Sequence, residues 1–115
     1  MENSPNPPLT AVTAAAKFAA LGSEQRLHVL HTLVRAGPDG LTIGTLGERC
    51  GITGSTLTHH LKVLAAAGLV RQTKRGRATI CAGADYAEVS ALSAYLMEQC
   101  CADCPDCKQD THCHD

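Results

Sequence analysis

Five cysteines fall within the last sixteen residues of this 115-residue chain: Cys100, Cys101, Cys104, Cys107 and Cys113. Thiolates are the ligands that soft metal ions prefer. The run Cys101-x2-Cys104-x2-Cys107, with His112, Cys113 and His114, offers enough donors for Zn(II) or Cd(II). Cys104-Pro-Asp-Cys107 is also a Cys-x-x-Cys, a spacing that can cycle as a disulfide. Residues Met1 to Pro8 hold neither a basic nor an apolar segment of the signal-peptide kind, so the expected compartment is the cytoplasm. Thiols there are kept reduced, which argues against a disulfide framework. Cys50 and Cys81 stand apart, one on an apolar helix face and one in a strand pattern. Both read as buried structural residues.

A second constellation lies in the middle of the chain. The net charge of −1 hides a strong asymmetry. Residues 1–41 are neutral. Between 42 and 83, Arg49, Lys62, Arg71, Lys74, Arg75 and Arg77 stand against Glu48 alone, giving +5. From 84 onward seven acids stand against Lys108, giving −6. The basic middle is a candidate polyanion-binding surface, and the acidic end is not.

The basic residues sit on a recognisable order of elements. An Ala-rich helix runs from Thr10 to Leu21 and stops at Gly22. Ser23 caps a second helix carrying Leu27, Leu30, Leu33 and Val34, ended by Gly37-Pro38. Thr42 caps a short third helix with Ile43, Leu46 and Cys50 on one face, broken by Gly51. Thr53 caps a fourth, with Leu57, Leu61 and Leu64 on one face and Gly68 at its end. A short helix, a Gly-containing turn and a second capped helix make a helix-turn-helix. Two strands follow, Leu69–Thr73 and Ala78–Ala82, joined by the basic turn Lys74-Arg-Gly-Arg77. Asp85 caps a last helix with Val89, Leu92 and Leu96 on one face, and Cys100 continues its register. Pro105 disfavours helix beyond it, so the end of the chain reads as loop.

On the fourth helix, Ser55, His59 and Lys62 point away from the leucines, flanked by Thr56 and Thr58. That face holds hydroxyls, an imidazole and an ammonium but no acid, a set suited to base edges and phosphates in a major groove. His60 lies at the edge of the apolar face and reads as a packed, hydrogen-bonded histidine. Lys74, Arg75 and Arg77 at the hairpin tip can reach adjacent phosphates or the minor groove, and Arg71 adds to the attraction. The expected fold is mainly α with a two-stranded β-wing, a winged helix-turn-helix. Its organisation is a flexible arm (1–8), a DNA-binding and dimerisation domain (9–100) and a cysteine-rich tail (101–115). With one Phe, two Tyr and no Trp, the core rests on Leu, Val and Ala, and such a small core points to a second subunit. No segment approaches the ~18–20 apolar residues of a membrane span, so no membrane partner is expected. No nucleophile–base–acid set or phosphate-binding glycine loop points to an enzyme.

The chain resembles the ArsR/SmtB family of metal-sensing repressors. The resemblance is carried by Leu21-Gly-Ser-Glu-Gln-Arg-Leu-His-Val-Leu30 and by Ser55-Thr-Leu-Thr-His-His-Leu-Lys-Val-Leu64 running into Ala67-Gly-Leu-Val70. Lys74-Arg-Gly-Arg77 matches the wing tip. It covers roughly Ala11 to Cys101. It implies a homodimer built from the first and last helices, bound to double-stranded operator DNA and released by an effector. One family pattern, a Cys-x-Cys at the start of the third helix, is missing here, because Thr42 to Cys50 holds one Cys at the far end. The zinc pattern of Asp, His and Glu on the last helix is missing too, because Asp85 to Gln99 has no His. Some arsenic-responsive members end that helix with adjacent cysteines and a third several residues on, which Cys100, Cys101 and Cys107 match.

The implied inducer is As(III), with Sb(III) as an alternative. A pyramidal, three-coordinate centre needs three sulfurs on one side. Adjacent helical residues diverge by ~100°, so Cys100 and Cys101 can converge only where the helix ends. Cys107 is the first choice for the third thiolate and Cys104 the second. The alternatives are a Zn/Cd sensor, a thiol redox sensor, and a thiol-rich metal carrier that never meets DNA. His28 and His31, three apart on the second helix, read as ordinary helix positions.

Overall fold

The structure is a computed structural model that describes residues 9–105. Helix α1 (Ala11–Ala20) starts where the Thr10 hydroxyl accepts the Thr13 N–H. Helix α2 (Glu24–Ala36) starts where Ser23 Oγ accepts the Arg26 N–H at 3.2 Å, with Glu24 in the first turn to meet the positive end of the helix dipole. Strand β1 (Leu41–Thr42) leads into α3 (Ile43–Cys50), capped by the Thr42 hydroxyl on the Thr45 N–H.

The turn between α3 and α4 (Gly54–Ala66) is made by Gly51 in the left-handed region and by the N–H groups of Gly51 and Ile52, both donated to Gly47 O. Gly47 must be a glycine there: a Cβ would stand 2.9 Å from Ile52 O. Thr53 is the N-cap of α4 but makes no side-chain cap hydrogen bond. The wing is β2 (Val70–Arg75) and β3 (Ala78–Gly83), antiparallel, with Arg75 opposite Ala78 and a two-residue loop led by Gly76. α5 (Tyr86–Met97) completes the described elements.

Three details differ from the sequence reading. The sheet has three strands in the order β1-β3-β2, because Leu41 and Thr42 pair with Cys81 and Ile80. Lys74 and Arg75 belong to β2, which extends two residues beyond Thr73, so only Gly76 and Arg77 form the tip. α5 ends at Met97, and Cys100 lies in the turns that follow rather than in the helix register.

The core gathers Val29 and Leu33 from α2, Leu46 from α3 and Leu57, Leu61 and Leu64 from α4, each no more than 1% exposed. Leu69 and Cys81 close it from the sheet side. Fully burying one such side chain is worth about 1.5–3 kcal/mol, so the leucine stripe of α4 is its principal anchor. Not every apolar residue of the helical pattern is inside: Leu27 and Val34 are about half exposed (53% and 51%). α1 packs against α5. Together these two helices leave Val12, Phe18, Leu96 and Met97 exposed. No helix among the described residues is long and apolar enough to cross a membrane.

Candidate nucleic-acid interface and the cysteine end

The α4 face opposite the leucines is open. Ser55, Thr56, Thr58, His59 and Lys62 are all exposed. Thr58 turns its hydroxyl back onto Gly54 O at 3.3 Å, so in this state it serves its own helix. α4 runs through Gly68 and Leu69 into β2 and packs against it. Arg71, Lys74, Arg75 and Arg77 are exposed along the wing. Arg71 is paired with Asp85 at 3.3 Å across a solvent-exposed gap. Such a pair is worth at most about 1 kcal/mol, and a phosphate can compete for the guanidinium.

His60 is the single buried polar residue among the described ones. Its Nε2 lies 2.9 Å from Gln25 Oε1, and Arg26 Nη1 lies 3.5 Å from its Nδ1. Burial, then the Arg26 guanidinium and then the neighbouring His59 hold its pKa below the ordinary histidine value. It is a neutral core histidine rather than a base reader, as its place on the helix wheel suggested. The sequence reading did not foresee its partners: Gln25 and Arg26 lie 35 and 34 residues away along the chain. His28 and His31 are exposed and line one shallow cleft with Thr32, Arg35 and Arg49, and another with Glu24 and Leu27.

Of the two isolated cysteines, only Cys81 is buried as expected. Cys81 is fully buried, and burial raises its thiol pKa although Gln72 donates to its sulfur at 3.8 Å. Cys50 is half-buried, its Sγ 3.6 Å from Thr32 Oγ1.

Beyond α5 the backbone winds through successive turns. The N–H groups of Cys100, Ala102 and Cys104 bond the carbonyls of Met97, Gln99 and Cys101. Gln99 and Cys101 both adopt positive φ (60° and 64°), the only non-glycine residues to do so among those described. This path brings Cys100 Sγ and Cys101 Sγ to 3.6 Å from each other. Cys101 is disulfide-bonded, contrary to the expectation of reduced tail thiols, whereas Cys100 is a free thiol. No group of three or more Cys, His, Asp or Glu gathers as a metal cluster among the described residues. Cys107, the first choice for a third thiolate, lies outside the described residues, as do His112, Cys113 and His114.

Two short helices joined by a glycine turn, an acid-free outer face on the second and a basic hairpin define a winged helix-turn-helix of the DNA-binding class. A helix-turn-helix domain model matches residues 21–73. An ArsR-like transcriptional regulator from Rhodococcus sp. RHA1 is 30% identical, with a TM-score of 0.66 over 80% of this chain and 82% of that one. A homodimeric winged helix-turn-helix domain from Mycobacterium bovis, a possible ArsR-family regulator, superposes with a TM-score of 0.60 at 21% identity over 80% of each chain. An uncharacterised HTH-type regulator, YceK of Bacillus subtilis, is 40% identical over 60 residues, 52% of this chain. The match spans 59% of that regulator's length. The chain belongs to the ArsR family of transcriptional regulators. It is therefore a regulator rather than an enzyme.

Proposed function

We propose that the chain is a cytoplasmic repressor that binds operator DNA as a homodimer and lets go when As(III), or Sb(III), is captured by Cys100, Cys101 and either Cys107 or Cys104. The observation that carries this reading is the 3.6 Å approach of the Cys100 and Cys101 sulfurs just past the end of α5. Once the Cys101 disulfide is reduced, two thiolates at that separation suit a single thiophilic centre, and the tail 101–115 holds the candidates for the third. The dimer reading is supported by the exposed Val12, Phe18, Leu96 and Met97 of α1 and α5, and by the homodimeric Mycobacterium bovis relative.

In this reading Ser55, Thr56, Thr58 and His59 contact bases or phosphates. Lys62, Arg71, Lys74, Arg75 and Arg77 supply phosphate attraction. Two copies of α4 enter successive major grooves about one DNA turn apart. Drawing the tail cysteines onto the end of α5 strains a helix of the dimer contact and alters the angle between the two reading helices. A 100-fold loss of operator affinity needs a coupling of only about 2.7 kcal/mol.

The disulfide at Cys101 favours one second reading, a thiol redox switch at the same place. A gel shift on the chain's own promoter separates the readings. Protein reduced with a phosphine is titrated with As(III), Sb(III), Zn(II), Cd(II) or a peroxide. Release by the trivalent ions at the lowest concentrations supports the proposal. Release by peroxide or by the divalent ions alone replaces it.

A further inference from the structure

We infer that Lys17 and Arg26 clamp the recognition helix α4 to α1 at two polar points, and that this clamp sets the pose in which α4 meets DNA. The inference rests on the DNA-reading role of α4 proposed above. The leucine stripe of α4 anchors it firmly, but apolar contact is non-directional and leaves rotation and sliding weakly determined. Hydrogen bonds have direction and can fix what packing leaves loose.

The first point is at the end of α4. Lys17 Nζ donates to Ala67 O, the C-cap carbonyl, at 2.5 Å. Carbonyls of a last turn lack partners within their helix and carry the negative end of its dipole. α4 has no basic residue of its own in that turn, so the cation comes from α1. Gly68 makes room for it: with φ +79, a Cβ there would stand 2.8 Å from Lys17 Nζ.

The second point lies two turns earlier. Arg26 Nε donates to Ala20 O, the last residue of α1, at 2.6 Å, and its Nη1 faces His60 Nδ1 at 3.5 Å. A guanidinium only donates, so Nδ1 is the acceptor and the proton sits on Nε2, which donates to Gln25 Oε1. Residues 60 and 67 are seven apart and so share one side of the helix. Held at both, α4 is fixed in rotation and in tilt, while the exposed Ser55, His59 and Lys62 stay free for DNA. The other end of the clamp is α1, which carries the exposed Val12 and Phe18. Lys17 and Arg26 are thus positioning residues that tie the reading helix to the helix offered to a partner copy.

The test compares wild type, Lys17→Met and Lys17→Arg as full chains, by fluorescence anisotropy on the promoter duplex and on a random duplex across a salt series. The clamp predicts about tenfold weaker promoter binding for Lys17→Met and an unchanged salt slope. Random-duplex affinity should stay within twofold, and Lys17→Arg should recover most of the loss. A salt slope reduced by about one would make Lys17 a phosphate contact and overturn the clamp. Equal promoter affinity for Lys17→Met and wild type would also overturn it. Amide exchange without DNA gives a second readout: Lys17→Met should speed exchange of Ala67, Gly68 and Leu69 about tenfold, and unchanged exchange contradicts the first point. If Lys17→Met fails to fold, His60→Leu, which removes the Arg26 acceptor, must show the same promoter-specific loss, and its absence counts against the second point. Failure of wild type itself to prefer the promoter would overturn the DNA-reading role of α4, an outcome distinct from a clamp-specific failure.

Discussion

From Thr53 to Leu64 a buried leucine recurs every third or fourth residue, and the backbone between them is regular helix. From Glu98 to Cys104 no buried side chain anchors the chain, two non-glycine residues sit at positive φ, and turn hydrogen bonds and the Cys101 disulfide constrain the path. The two stretches carry the two halves of the proposed function, one facing DNA and one holding sulfur. A site on a packed helix inherits its geometry from the core, so its exposed face is settled as soon as its buried face is. A site made of turns has no such template. It can move when a ligand, a metal or a disulfide draws its sulfurs together, which is the property an effector site needs.

The largest expected effect probes the rigid member of the pair. Leu61→Ala removes a fully buried side chain from the α4 stripe and should cost about 2–5 kcal/mol in a denaturant titration. A loss under 1 kcal/mol would mean that the stripe does not anchor the helix. Next, Cys100→Ser should leave operator affinity within twofold while removing all of the As(III) response, about 100-fold in the proposed coupling. A mutant that still releases DNA would move the effector site elsewhere.

On the wing, Lys74→Ala or Arg77→Ala should weaken binding to every duplex severalfold and lower the salt slope by about one. An unaltered slope in the gel-shift series would take that residue off the contact surface. The smallest effect concerns pH. The folded state lowers the His60 pKa, so the unfolded chain binds the proton more readily. Stability should therefore be flat above the ordinary histidine value of about 6.5 and fall as pH drops below it, levelling off below the folded pKa. His60→Gln should remove that part of the decline, and urea midpoints at pH 7.5 and 5.5 check it.

The same contrast explains what the sequence made legible. Caps at Ser23 and Thr42, the leucine spacing of α4 and its acid-free face are local signals, and each stands where it was read; the basic hairpin is there too, with its turn narrowed to Gly76 and Arg77. What escaped was set by distant partners. β1 is two residues long and exists because β3 offers a free edge. Leu27 and Val34 follow helical spacing yet stay half exposed, because the apolar residues of α2 cover more of its circumference than the core covers. The partners of His60, and Lys17 on Ala67, depend on how α1 and α2 cross α4, which no periodicity encodes. Helical spacing ran Cys100 onto α5, but the helix stops at Met97, and the closeness of Cys100 to Cys101 depends on Cys101 adopting a positive φ that a non-glycine residue rarely takes.

The central claim is that sulfur chemistry past α5 is coupled to the grip of α4 on DNA. Its most direct test is the dissociation constant of the phosphine-reduced wild-type chain for its promoter duplex, measured by anisotropy at fixed salt with and without saturating As(III). The account predicts a rise of about 100-fold when As(III) is present. The same dissociation constant in both conditions would contradict it.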